Sequence, residues 1–97
     1  MTGADWTPIQ LDPITADTAY STPFFAGVII ATNGTASTTH LRAGTSVGAG
    51  TILATFIVEA VTGGTTRIFP LPGMAVIQGG FNIDVDASVT RATVMKG

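Results

Sequence analysis

The side chains that could do chemistry in this chain are few and widely spaced. His40 is the single histidine. Its neighbours Thr38, Thr39 and Arg42 include no pairing of a base with an oriented nucleophile, so a Ser-His-Asp arrangement would have to be assembled from distant segments. The plainer reading is a histidine on the exposed side of a strand. Asp84 and Asp86 stand two apart, which on an extended strand turns both carboxylates to one side, as a calcium site or a glycosidase pair requires. An alternating strand puts polar groups on its wet face in any case, and that, or an ion pair with Arg67 or Arg91, accounts for both.

Two glycine patterns fail on inspection. The run Gly44-Thr45-Ser46-Val47-Gly48-Ala49-Gly50 could cradle an anion on consecutive backbone N–H groups, but a phosphate loop ends in Lys followed by Ser or Thr, and this one continues Thr51-Ile52-Leu53. A dinucleotide fingerprint needs a third glycine and a helix after it, and a strand pattern follows instead. Asn33-Gly34-Thr35 matches a glycosylation sequon, yet residues 1–6 carry no basic and apolar leader, and the dipeptide is explained as a turn. No residue set resembles an active site. The expectation is a non-enzymatic protein without cofactor or metal, made in the cytosol.

The elements that must position these residues are strands. Seventeen Thr, nine Ile and eight Val stand against one Glu, one Lys and four Leu, a β-branched mixture that suits pleated sheet and disfavours helix. At 97 residues the chain has room for one domain. Four basic against six acidic groups give a net charge of −2 with no basic tract, so nothing could neutralise a run of phosphates and nucleic acid is a poor candidate partner. There is no cysteine, hence no disulfide framework. The longest apolar run, Phe24 to Ala31, is too short to cross a bilayer, and no membrane partner is expected.

Residues 1–23 differ from the remainder. Asp5, Asp12 and Asp17 alternate with Pro8, Pro13 and Pro23, and each proline lacks an N–H and restricts the residue before it. This segment is expected to be an extended N-terminal arm or an edge-hugging strand, with Trp6, Ile9, Leu11, Ile14 and Tyr20 as the apolar residues that pack on something. Residues 24–97 then form the folded domain. Phe24 to Thr32 is continuously apolar, as in a strand covered on both faces. Asn33-Gly34 turns it into a hairpin with Thr35 to Arg42, one side of which must be wet. Thr51 to Val61 is the longest strand, with Ile52, Ala54, Phe56 and Val58 on one face. Thr65 to Leu71 stops near Pro70 and Pro72, and Met74 to Gln78, Phe81 to Asp86 and Ser88 to Lys96 follow. About seven short strands with regular glycine turns predict an antiparallel β-sandwich or small barrel, jelly-roll-like in topology.

Phe24 to Ala31 and Ile52 to Val58 combine high β-propensity with no charge and no proline, the composition that aggregates when an edge is bare. With one Lys and three Arg in the chain, charged gatekeepers are scarce. Neighbouring subunits are therefore expected to cover these strands.

A resemblance enters on particular residues. Phe25-Ala26-Gly27-Val28-Ile29-Ile30, then Leu41-Arg42-Ala43-Gly44-Thr45-Ser46-Val47-Gly48-Ala49-Gly50-Thr51-Ile52-Leu53-Ala54, then Phe81-Asn82-Ile83-Asp84-Val85 and a last strand Ser88 to Met95 resemble a pattern in small tailed-bacteriophage virion proteins. The likeness spans roughly residues 24 to 97. It implies a capsid decoration or cement protein: a homo-oligomer, usually a trimer, that binds the major capsid protein on the outer head shell and braces it, localised on the virion and assembled in the host cytoplasm. The arm with Trp6 has no counterpart in that pattern, and a tail, neck or fibre location in the same virion stays open. The alternative reading is a carbohydrate- or receptor-binding β-sandwich of a phage fibre or cell-surface protein, which would stack sugars on exposed aromatics.

Overall fold

The computed structural model describes residues 9–97. Eight strands make up the chain there: β1 (Gln10–Ile14), β2 (Thr18–Tyr20), β3 (Phe24–Thr32), β4 (Ser37–Ala43), β5 (Ile52–Val58), β6 (Thr66–Val76), β7 (Phe81–Asp84) and β8 (Val89–Lys96). They form two four-stranded antiparallel sheets, ordered β1-β8-β3-β6 and β2-β7-β4-β5. Strand β1 pairs with β8, β2 with β7, β3 with β6 and β4 with β5. This is one long ribbon, doubled back at β4 and β5 and rolled so that successive rungs fall in alternate sheets, which is the winding of a jelly roll. The all-β sandwich is present as expected, with eight strands in place of seven.

The difference in count has two sources. Residues 10–14 and 18–20, expected to belong to an arm spanning 1–23, are strands β1 and β2 of the sandwich, each at a sheet edge. An edge strand needs only one ladder, so it accommodates a proline such as Pro13. The sandwich therefore begins near residue 10 and not at 24; residues 1–8, Trp6 among them, lie outside the described residues. In the other direction, the two segments expected on either side of Pro72 are one strand, β6, which is also an edge.

The expected hairpin at Asn33-Gly34 is not formed. Both sides of β3 are already taken, by β8 and β6, so β4 has no free edge to join and crosses into the other sheet. Only Gly34 has a positive φ there, at 112°, whereas a two-residue hairpin turn of that sequence needs two. Asn33 instead accepts the Thr35 N–H on its side-chain oxygen at 3.0 Å and donates its own N–H to Ser88 O at 3.0 Å, a side-chain turn that steers the crossing.

The core lies between the sheets. Val28, Ile30, Ala92 and Val94 of one sheet meet Leu41, Val58, Phe81 and Ile83 of the other, all buried, and each large aliphatic contributes about 1.5–3 kcal/mol by leaving water. In β3 both Phe25 and Val28 face inward although they are three apart, because the register slips between Phe25 and Gly27 against both neighbours. Gly27 permits that bulge: its φ is 132°, and a Cβ on it would stand 2.5 Å from Phe69 O. The outward side chains of β3, Ile29 and Ala31, are only half-buried, so this strand is covered on one face and not on both. Five aromatic rings run through the core in contact, Tyr20 to Phe81 to Phe25 to Phe56 to Phe69, with centroids 5.2, 5.4, 6.2 and 5.2 Å apart. The row starts at β2 and ends at β6.

Candidate functional site

The two flanks of the sandwich are finished differently. At the flank formed by β1 and β2, Tyr20 donates its hydroxyl to Asp12 Oδ2 at 2.5 Å, and Lys96 places its ammonium 5.5 Å above the Tyr20 ring while donating to Gln10 Oε1 at 3.0 Å. Ile14 is buried behind them. Burial, and secondly the Asp12 carboxylate, push the Tyr20 phenol well above the usual tyrosine range, because both oppose a second negative charge there.

The opposite flank, formed by edge strands β5 and β6, has no such closure among the described residues. Ile57, Ile68 and Val76 are 65%, 63% and 65% exposed, and Ile52, Leu53 and Leu71 are exposed beside them. The charged contact across this flank runs from Arg67 of β6 to Glu59, just past the end of β5, with both side chains exposed. The Glu59 carboxyl sits below its ordinary range, chiefly through its own backbone N–H and then through Arg67.

Two irregularities open this flank into a cleft. In β5 the register slips so that Leu41 faces Ala54 and Arg42 faces Ile52, leaving Leu53 unopposed as a bulge. The slip also turns Ile52 to the same side as Arg42, away from the inward face shared by Ala54, Phe56 and Val58. In β6, Pro70 faces Gly27 and Ala75 faces Phe25, so residues 71–74 swing out opposite the single residue Ala26. Between these two departures lies an apolar cleft of about 250 Å³ lined by Leu53, Phe56, Phe69, Leu71, Ala75 and Ile77, with Phe25 and Leu41 at its floor. Beside it, the outer face of the β1-β8-β3-β6 sheet carries the rows Leu11, Met95, Gly27, Pro70 and Pro13, Thr93, Ile29, Ile68, none of them charged.

The expected anchor residues divide. Ile14 and Tyr20 are core residues, 8% exposed each, and serve the chain's own interior; Ile9 and Leu11 are 55% and 62% exposed and remain free to meet another surface. Trp6 lies outside the described residues. His40 contacts Thr55 Oγ1 at 3.2 Å across the β4-β5 ladder. Asp84 pairs with Arg42 at 3.1 Å, not with Arg67 or Arg91, and Arg42 also donates to Gly50 O at 3.0 Å. Asp86 has left the strand and accepts the N–H groups of Thr38 and Ser88 at 2.7 and 2.9 Å. Each carboxylate is thus engaged separately, and among the described residues no group of three or more His, Asp or Glu is placed to hold a metal ion.

The glycine run 44–50 folds over the outer face of the β2-β7-β4-β5 sheet and is held by one side chain that sequence reasoning passed over. Asn82, fully buried, donates to Gly44 O at 2.9 Å and Ala49 O at 3.1 Å and accepts from Gly48 N at 3.2 Å. An Asn in a strand where alternation gives a polar face was the available signal, but its partners lie 33 to 38 residues away. The cleft residues were legible only as apolar strand residues, since nothing local marks β5 and β6 as edges. Compared with protein-family models, with curated proteins and with solved structures, the chain matches none.

Proposed function

We propose that this chain is a non-enzymatic structural protein of a virion, of the decoration or cement type, which attaches to the outer head shell and to copies of itself through its bare apolar surfaces. The observation that carries this reading is the flank of β5 and β6, where large aliphatic side chains stand in water on two edge strands. An uncharged edge of this kind is a liability for a free monomer and an asset for a subunit whose neighbours cover it. The jelly-roll winding is shared by viral shell proteins and lectins alike, so the fold is compatible with the role without choosing it.

A sugar-binding module would need exposed rings on which to stack. Tyr20, Phe25 and Phe81 are buried, Phe56 and Phe69 are half-buried in the cleft, and Phe24 is the one exposed aromatic among the described residues. That distribution favours assembly over carbohydrate recognition.

Co-sedimentation with expanded capsids that lack the protein tests the proposal. Saturable binding by the wild type, reduced in Ile57→Lys with an unchanged circular dichroism spectrum, is the expected result. A chain that ignores shells and stays monomeric, or that instead binds defined glycans on an array, overturns it.

A further inference from the structure

We propose that the cleft between β5 and β6 receives the Trp6 segment of a second copy of this chain, and that this exchange links copies to one another. The inference rests on the reading of the chain as an assembly protein and names what fills the open flank. At about 250 Å³ the cleft falls below the roughly 300–1,000 Å³ of small-molecule pockets and suits a single large side chain. Its walls are aromatic and aliphatic, and the aromatic row through the core ends in it at Phe69, so an indole entering there continues an existing stack of rings.

The edges around the cleft favour insertion of a side chain over addition of a strand. Leu53 is bulged out of the β5 ladder, and Pro70 together with the excursion at 71–74 interrupts β6. Bulges and prolines are the devices that prevent edge-to-edge pairing, and here they leave an apolar hole in place of a continuous row of N–H and C=O groups.

The donor is read from placement. Trp6 is the only tryptophan and precedes Ile9, the first described residue, by three positions. Gln10 faces Lys96, Lys96 faces Phe25 and Phe25 faces Ala75, which puts the start of β1 at the same end of the sandwich as the cleft but on the opposite flank. Three strand spacings, about 14 Å, separate Gln10 from Ala75 along that row. The four residues from Gln10 back to Trp6 span at most about 14 Å when fully taut, so folding back onto the same molecule would hold the whole segment at full stretch. A neighbour set flank to flank brings its own β1 start, with exposed Ile9 and Leu11, directly beside the cleft. Donor and acceptor are different surfaces, so the contact is heterologous and can be repeated from copy to copy.

Sedimentation of the full chain, read together with the emission of its single tryptophan, tests this. The wild type is expected to self-associate, with the blue-shifted emission of a buried indole. Trp6→Ala is expected to weaken self-association about thirtyfold, as loss of a central aromatic anchor does. Leu53→Asp, at an exposed position, is expected to weaken it similarly while moving the emission to that of indole in water. Because the first variant keeps a working cleft and the second a working Trp6 segment, their equimolar mixture is expected to give a one-to-one pair. An assembled protein whose indole emits as if in water, or a Trp6→Ala chain that assembles like the wild type, overturns the exchange and leaves the assembly reading standing. Buried emission that persists on dilution to monomer shows the segment on its own molecule and also overturns it. A wild type that never assembles and whose indole is in water removes both.

Discussion

Tyr20 and Asp12 lie in different sheets, yet the hydroxyl of the first donates to the carboxylate of the second at 2.5 Å, and this contact pins edge strand β2 against edge strand β1. No equivalent side-chain tie is seen among the described residues in the upper part of the opposite flank, where the cleft separates Leu53 from Leu71. The molecule has one sealed side and one open side. Such asymmetry is what a subunit needs if its two flanks are to play different parts in an assembly.

Removing the tie tests its weight. Tyr20→Phe keeps the ring contacts with Phe81 and Lys96 and deletes only the hydroxyl, so the expected loss is about 1.5 kcal/mol, the lower end for a hydrogen bond to a charged group, since Asp12 is half-buried and water can partly replace the donor. Urea unfolding of the two proteins, with equal m-values, measures it. An unchanged midpoint would show the flank to be held by packing alone.

The same pair sets an alkaline limit. Burial and the Asp12 carboxylate raise the folded-state ionisation of Tyr20 above its ordinary value of 10.0. Stability from the neutral phenol is therefore fully present below that pH and is lost as pH rises through it toward the folded value. Tyr20 is the only tyrosine, so phenolate absorbance reports it alone. The expected titration lies above that of free tyrosine and coincides with falling stability; ordinary titration in a fully folded protein would contradict it.

Inside β4, Thr39 is fully buried and its hydroxyl has no hydrogen-bond partner among the described residues. A buried hydroxyl without a partner costs free energy that a methyl does not. Thr39→Val, nearly the same shape, is expected to raise the stability by about 1 kcal/mol, read as a higher midpoint in urea. A lower midpoint would point to a water bound at that hydroxyl.

Asn82 holds the 44–50 loop through three contacts. Asn82→Ala strands two carbonyls and an N–H and opens a cavity, with an expected loss of about 3 kcal/mol. Hydrogen exchange should quicken at Gly48 ahead of the core strands. Exchange that quickens equally everywhere would mean that the loop and the sandwich unfold as one unit.

The threonine-rich, nearly chargeless composition together with glycine turns fixed the all-β sandwich, and the central strand Phe24 to Thr32 was legible to the residue because a continuous apolar run closed by a turn signal has few other fates. Alternation in Ser37 to Ala43 was legible too, but not which side would be wet: Thr38, His40 and Arg42 face out while Ser37, Thr39 and Leu41 face in. Which strands stand next to one another was decided only by the three-dimensional winding. A turn signal such as Asn33-Gly34 says that the chain reverses and carries no information on whether the returning strand finds a vacant edge. For the same reason Pro13 and Pro70 read as strand breakers until the sheets showed them at edges, where one missing N–H is tolerated. The open flank belongs to this second class: Leu53, Phe56, Phe69 and Ala75 are ordinary apolar strand residues in sequence, and they become a cleft because pairing among the described residues leaves β5 and β6 without outer neighbours. Local periodicity determines which residues seek an interior, whereas edge and centre depend on contacts between residues far apart in the chain.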